Sequence, residues 1–209
     1  MCRFFETICV QDGVIQRLDY HQKRIDATRA FFYPTLSPIS LKSSIHIPDF
    51  AQKGTFRCRV NYDEIIHDVS FFSYTLRTHQ RIKLVEQPTF SYDFKWEDRT
   101  FFSEQLAKYP DVDEIIFTQN GFLTDTTYSH ILLKKEIGKW ILPSTYLLPG
   151  TKSKYLLDNQ FVELAPLHIN DLPDFSYIAL INAMRDFEEI YRYTFNQKEG
   201  VLELMKLEN

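Results

Sequence analysis

The sequence predicts an α+β protein, in which strands and helices mix without strict alternation. Asp12-Gly13 and Asn120-Gly121 each sit between runs rich in apolar residues, which is the signature of a tight hairpin. Other segments carry apolar residues at helical spacing and are closed by Pro34 and Pro110. The chain has 209 residues, 44% apolar and 25% charged, enough for one good-sized core or two small lobes.

The elements follow in order. ETICVQDGVIQRL alternates around Asp12-Gly13 and reads as a hairpin. LDYHQKRIDATRAFF, with Leu18, Ile25, Phe31 and Phe32 apolar, reads as a helix that Pro34 ends. Residues 34 to 53 are mixed, and Pro38 and Pro48 break any long element. TFRCRVNYD and EIIHDVSFFSYTL read as paired strands. RIKLVEQ is a strand stopped by Pro88, and FKWEDRTFFSEQLAKYP reads as helical until Pro110. DEIIFTQNGFLTDTTYSHILL reads as a strand pair around Asn120-Gly121, with FLTDTTYSHILL as one strand. KWILP is a short strand. PGTKSKYLLDN is a turn running into a helix N-terminus. FVELAPLHI, a short helix near DLPDF, and YIALINAM follow. Residues 1–76 are thus expected to form a small N-terminal α+β lobe. RTHQ (77–80) is the expected linker, and 81–209 the larger C-terminal lobe, which would carry Lys95.

Composition narrows the function. Net charge is −4 and no basic run is long enough for a nucleic-acid patch, so a small-molecule partner is expected rather than DNA or RNA. No stretch approaches the length of a membrane span. Cys2, Cys9 and Cys58 are odd in number and lack CxxC spacing, which fits reduced thiols in the cytoplasm. MCRFFET has too few apolar residues for a secretory leader. The six histidines are scattered, so no metal site is expected.

Four pieces have chemical potential, and each has a plain alternative. Lys95, between Phe94 and Trp96, is placed for partial desolvation, which lowers an amine's pKa and makes it a nucleophile toward carbonyls. The same position suits a lysine whose stem merely covers Trp96. Asp125 stands among Thr124, Thr126, Thr127 and Ser129. Strands are depleted in Asp, so it either serves a ring nitrogen or lies on an edge facing water. Gly150-Thr151-Lys152 opens a helix, where backbone N–H groups and the dipole suit a phosphate, or is an ordinary turn. His21 and Arg24 share a helix face, where Arg24 has the fork for a phosphate, or the face is simply solvated.

Together, the order and spacing of these pieces resemble the class IV pyridoxal-phosphate aminotransferase family, of fold type IV. The matching features are HxxR on the first long helix, a lysine opening the second lobe, an acid on the strand after Asn-Gly, and LPGT before a helix. The resemblance runs from FFETICVQDGVI to about INAMRDFEEI. The family includes branched-chain and D-amino-acid aminotransferases and 4-amino-4-deoxychorismate lyase. The Asn-Ala-hydrophobic run of LINAM is similar to the lyase branch.

The resemblance implies a two-lobed D-amino-acid aminotransferase-like fold with a shortened N-terminal lobe, a pyridoxal 5'-phosphate cofactor, an amine substrate and a homodimer. It implies that Lys95 carries the cofactor and moves protons, and that Arg24 holds the phosphate. Asp125 would contact the pyridine nitrogen, Gly150 and Thr151 would bind the phosphate, and Asn182 and Ala183 would close the phosphate and substrate side. Arg57 and Arg59, on one strand face, and Arg185 are candidates for a substrate carboxylate, and Tyr92 for a hydroxyl beside the cofactor. The sequence departs from the family at three places. Asp125 replaces a glutamate, His130 stands where Asn is usual, and Lys152 follows Gly150-Thr151 where Ile-Thr-Arg is usual. Three functions fit: a lyase forming 4-aminobenzoate and pyruvate, an aminotransferase for a branched-chain or D-amino acid, and a non-catalytic relative that binds a phosphate-bearing ligand.

Overall fold

A computed structural model describes residues 3–185 and 190–207. Cys2 and residues 186–189, at the end of the family resemblance, lie outside the described residues. The chain divides into two compact units, Met1–Leu76 with Asp93–Asp98, and Arg77–Tyr92 with Arg99–Asn209.

The first unit is a four-stranded antiparallel sheet in the order β2-β1-β3-β4, with β1 Phe4–Gln11, β2 Val14–Ile15, β3 Thr55–Tyr62 and β4 Ile66–Ser73. Asp12 and Gly13 both take positive φ, 47° and 74°, as a two-residue hairpin with the twist of its strands requires. The helix α1, Leu18–Phe32, supplies Ile25 to a core built from alternate residues of β1 and β3. Phe4, Ile8 and Val10 face that core with Cys58, Val60 and Tyr62. The opposite phase, Phe5, Thr7 and Cys9, pairs with Asn61, Arg59 and Arg57 on the other face. The connection after α1 holds only a short helix, α2 Leu41–Ser44, and one 3-10 turn.

The expected helix from Phe94 onward begins later. Residues 93–98 are non-helical and lie beside the start of β1, bridging it at Phe4 and Trp96: the Phe5 N–H donates to the Lys95 carbonyl at 3.0 Å and the Glu97 N–H to the Arg3 carbonyl at 2.9 Å. Phe94 and Trp96 bury their rings against Phe4 and Phe32, a gain that helix would forfeit. The Lys95 segment therefore belongs to the first unit, and the helix α3 spans only Thr100–Ala107.

The second unit holds a nine-stranded sheet in the order β10-β9-β8-β11-β12-β13-β5-β6-β7. Its strands are β5 Arg81–Glu86, β6 Glu114–Gln119, β7 Phe122–Thr126, β8 His130–Lys134, β9 Trp140–Pro143, β10 Val162–Ala165, β11 Tyr177–Ile181, β12 Ile190–Asn196 and β13 Val201–Lys206. The last strand in that order, β7, pairs back onto β8 through Asp125 and His130, so the sheet curls into a barrel-like ring. The helix α4, Thr151–Asp158, covers Leu132, Leu142 and Ile181 through Leu156. Leu123, Ile131, Leu133, Ile178 and Leu202 form the larger core. RTHQ, expected as a linker, packs in this unit because His79 is buried at 4% exposure.

FLTDTTYSHILL is two strands rather than one. Its hydroxyls break it: Thr126 Oγ1 accepts the Tyr128 and Ser129 N–H groups at 3.3 and 2.9 Å, a local turn that competes with the ladder. The hairpin β12–β13 has no counterpart among the elements read from the sequence; it buries Tyr191, Val201, Leu202 and Leu204. Among the described residues no helix is long and apolar enough to cross a membrane.

The Asn120-Gly121 turn is fixed by Glu86, which accepts the Asn120 N–H and the Thr118 hydroxyl at 2.6 Å each. Gly121 has φ +78°, and an added Cβ would meet His168 Nε2 at 2.2 Å. The His168 ring is itself held as a cap by the Asn170 N–H. Gly121→Ala is expected to destabilise the protein by about 2 kcal/mol, measured as a lower urea midpoint with unchanged slope.

Candidate functional site

In the first unit, the non-helical course of 93–98 decides where Lys95 points. Phe94 and Trp96 take the core side, so Lys95 takes the other, where its Nζ lies 4.6 Å from the Phe5 ring centroid. The Arg59 guanidinium lies 4.3 Å from the same centroid and bonds Asn61 Oδ1 at 2.9 Å. Arg59 also approaches Glu97 at 3.7 Å. Phe5 thus gathers an amine and a guanidinium on one aromatic ring, an arrangement its quadrupole favours. Arg57 shares the strand face but is exposed and rests on Phe72.

Arg24 is held by Glu6, to which the sequence reading gave no role. Glu6 occupies the core-facing phase of β1 and is fully buried. Arg24 donates from Nε to Glu6 Oε1 at 2.8 Å and from Nη2 to Oε2 at 2.6 Å, the two-pronged geometry of a guanidinium on a carboxylate. His21, one turn earlier on α1, bonds Glu6 Oε2 through Nδ1 at 2.6 Å. Burial pushes the Glu6 carboxyl up, but the Arg24 charge and the hydrogen bonds from His21 and Arg24 outweigh it and hold it at about 2. Burial pushes the His21 imidazolium below its ordinary range against the pull of Glu6, and the charges of Arg24 and Lys95 lower it further. A neutral imidazole donating Nδ1–H to an ionised Glu6 leaves Nε2 as an acceptor.

In the second unit, Asp125 sits where β7 meets β8 and is 6% exposed. Its Oδ2 accepts the Leu147 and Leu148 N–H groups at 3.0 and 3.1 Å, which holds the loop before α4. His130 lies beside Asp125: its Nε2 is 2.8 Å from the Leu148 carbonyl and 3.6 Å from Asp125 Oδ2. Gly150 precedes Thr151 at the N-terminus of α4, and a Cβ there would meet His130 Cε1 and Ser153 Oγ at 2.9 Å each. Only glycine lets the chain pass that close to His130. Thr151 and Lys152 are buried behind it.

The turn between β7 and β8 is bound on two further sides. Asn182 Nδ2 donates to Ser129 Oγ at 2.9 Å, while Asn182 Oδ1 accepts the Met184 N–H at 2.8 Å. Asn182, just past the end of β11, thus meets the turn and Ala183 follows it, with Arg185 bonding the Arg77 carbonyl and lying over the Tyr128 ring. Buried His79 is 2.6 Å from the Tyr128 hydroxyl. Glu114 accepts the Thr127 hydroxyl at 2.8 Å, and Arg99 bonds the Thr127 carbonyl and the Tyr92 hydroxyl. The structure therefore brings Lys95, Arg24 and Arg59 into one unit, and Asp125, Gly150, Thr151, Asn182, Arg185 and Tyr92 into the other.

Sequence reasoning missed Glu6, Glu114 and the His79–Tyr128 pair. Glu6 had a signal: FFETICV places an acid in the phase of Phe4, Ile8 and Val10, the same anomaly that singled out Asp125. The other two pairings join residues far apart in the chain and have no local signature.

In architecture the chain is similar to solved structures of a fold type IV transaminase and of candidate 4-amino-4-deoxychorismate lyases. The structure is similar to that of a candidate 4-amino-4-deoxychorismate lyase from Haemophilus somnus 129pt, with TM-score 0.82 and 28% identity over 88% of this chain and 97% of that one. It shares its fold, at TM-score 0.72 and 16% identity, with the PLP-bound form of a hypothetical aminotransferase from Mycobacterium tuberculosis, covering 88% of this chain and 78% of that one. In sequence it is 28% identical over 186 residues to an uncharacterized protein of Haemophilus influenzae, covering 88% of this chain and 98% of that protein. No family model matches the chain.

The carboxyl of Glu114 gives the site a pH signature. Burial pushes it up to about 7, against hydrogen bonds from Ile115 and Thr127 and the Arg99 charge. A carboxyl raised above its unfolded value of 4.5 favours the folded state while protonated, so its contribution is complete below pH 4.5 and is lost as pH rises through about 7. Glutamine mimics the protonated acid. Glu114→Gln is expected to remove a fall in unfolding free energy of up to about 3 kcal/mol between these limits, read from urea melts at pH 5 and pH 8.

Proposed function

We propose that the chain is a pyridoxal 5'-phosphate-dependent enzyme acting at the carbon that bears a substrate amine. Its reaction, in this reading, is the conversion of 4-amino-4-deoxychorismate to 4-aminobenzoate and pyruvate. The observation that carries the reading lies in the first unit: an amine set on the Phe5 ring together with an arginine fork set on a buried carboxylate. The likeness to the Haemophilus somnus candidate lyase supports the finer assignment.

The residues fit this cofactor. In the first unit, Lys95 would offer an amine to its aldehyde and Arg24 donors to a phosphate; in the second, Gly150 and Thr151 carry donors suited to a phosphate and Asp125 a carboxylate suited to a ring nitrogen. Asn182 and Ala183 border the phosphate side. Gly150 stands at the N-terminus of α4, where backbone N–H groups suit an anion. When bound, the cofactor supplies an electron sink for a carbanion.

Lys95 Nζ, in its neutral form, would take the proton from the carbon bearing the amine. The enolpyruvyl C–O bond then breaks, the ring aromatises, and one proton is delivered to the departing enolpyruvyl group. One proton is removed and one returned, and no water is consumed. Arg59, on the same ring as Lys95, receives a substrate carboxylate, for which its fork is matched. Asp125 would hold a proton at the ring nitrogen of the bound cofactor, and its bonds to the Leu147 and Leu148 amides keep the carboxylate in place.

Purified protein given the cofactor and borohydride is expected to gain the reduced cofactor's mass on the peptide containing Lys95. A separate, unreduced sample given the cofactor and 4-amino-4-deoxychorismate is expected to release 4-aminobenzoate and pyruvate without an amino acceptor. A keto acid formed only when an acceptor is supplied would instead establish an aminotransferase, and failure to take up cofactor would leave a non-catalytic binder. Asp125→Asn is expected to keep the cofactor and lose at least about a hundredfold in kcat. Arg59→Ala is expected to raise KM roughly tenfold or more with a smaller change in kcat, measured by initial rates.

A further inference from the structure

We infer that Glu6 is the positioning residue of the cofactor-phosphate site: it aims the Arg24 fork. The inference rests on the assignment of Arg24 to the phosphate. A carboxylate in the core-facing phase of a strand is costly unless charged donors surround it. Glu6 meets Nε and Nη2 of Arg24 and Nδ1 of His21, all within 2.8 Å. Two prongs of one planar group on one carboxylate fix the plane and roll of the guanidinium, and with them the direction of its remaining donors. Arg24 is only 12% exposed in its side chain, so its remaining freedom is small. A preset donor does not have to be ordered when an anion arrives, which strengthens binding.

Charge and orientation act in opposite senses here. The Glu6 anion weakens the pull of Arg24 on a phosphate, whereas its geometry strengthens it. The inference is that orientation wins.

The test compares pyridoxal 5'-phosphate with pyridoxal, which lacks the phosphate, by absorbance titration of the wild type, Glu6→Gln and Glu6→Asp. Glu6→Asp retains the counter-charge, should the uncharged variant fail to fold, but is one methylene too short to hold both prongs. In each folded variant the affinity for pyridoxal 5'-phosphate is expected to fall about tenfold, the scale of one charge-assisted hydrogen bond, while pyridoxal binds as in the wild type. Equal weakening of both ligands would make Glu6 a structural residue only, and unchanged or tighter phosphate-ligand binding would show that charge wins; either overturns the inference. Wild-type protein that binds neither ligand would overturn the cofactor assignment itself, and that is seen before any substitution is made.

Discussion

A carboxylate removed from water must be met by donors, and the candidate functional regions of both units are organised around that requirement. Glu6 meets it with charge, Asp125 with two backbone amides beside His130, and Glu114 with a hydroxyl, two backbone N–H groups and the proton it keeps up to about pH 7. Each solution has a structural by-product. Glu6 fixes the roll of Arg24, Asp125 ties the loop before α4 to the β7–β8 closure, and Glu114 ties the following turn to β6. The side chains that would handle a ligand are therefore placed by buried electrostatics as much as by packing.

The β7–β8 closure concentrates these effects. It rests on one residue pair, Asp125 with His130, and on a turn whose N–H groups are taken by Thr126. A histidine rather than a shorter side chain at position 130 reaches the Leu148 carbonyl and stacks on Tyr146, and the glycine at 150 makes room for it. The departures from the family pattern at 125 and 130 are thus adjacent and compatible. The shorter acid is drawn to the 147–148 amides, and the larger ring occupies the space beside it.

The fold class, the first-unit sheet, α1, both Asn-Gly-type hairpins and the helix at 151 were legible in the sequence, because each has a local cause. Asp12-Gly13 and Asn120-Gly121 take positive φ at both positions, which few other residues tolerate. The candidate residues Lys95, Arg24 and Asp125 were legible because each is an irregularity in its own segment, and the resemblance supplied their proposed roles. Less was legible where local preference and long-range gain disagree. FKWEDR has a helical pattern, yet it is non-helical because two aromatic rings bury against Phe4 and Phe32. RTHQ is polar, yet His79 is buried beside Tyr128 and Tyr191.

By itself, the sequence determined which short segments turn, which run as strands, and which residues carry chemical potential, since backbone preferences and side-chain pKa values act over a few residues. Tertiary structure alone decided that Lys95 and Arg59 share the Phe5 ring, that Arg24 is held by an acid 18 residues away, and that Asp125 serves the amides of 147 and 148. Those pairings arise when burial removes water as the competing partner, and which donor then meets which acceptor depends on strand register and helix placement rather than on neighbours in the chain.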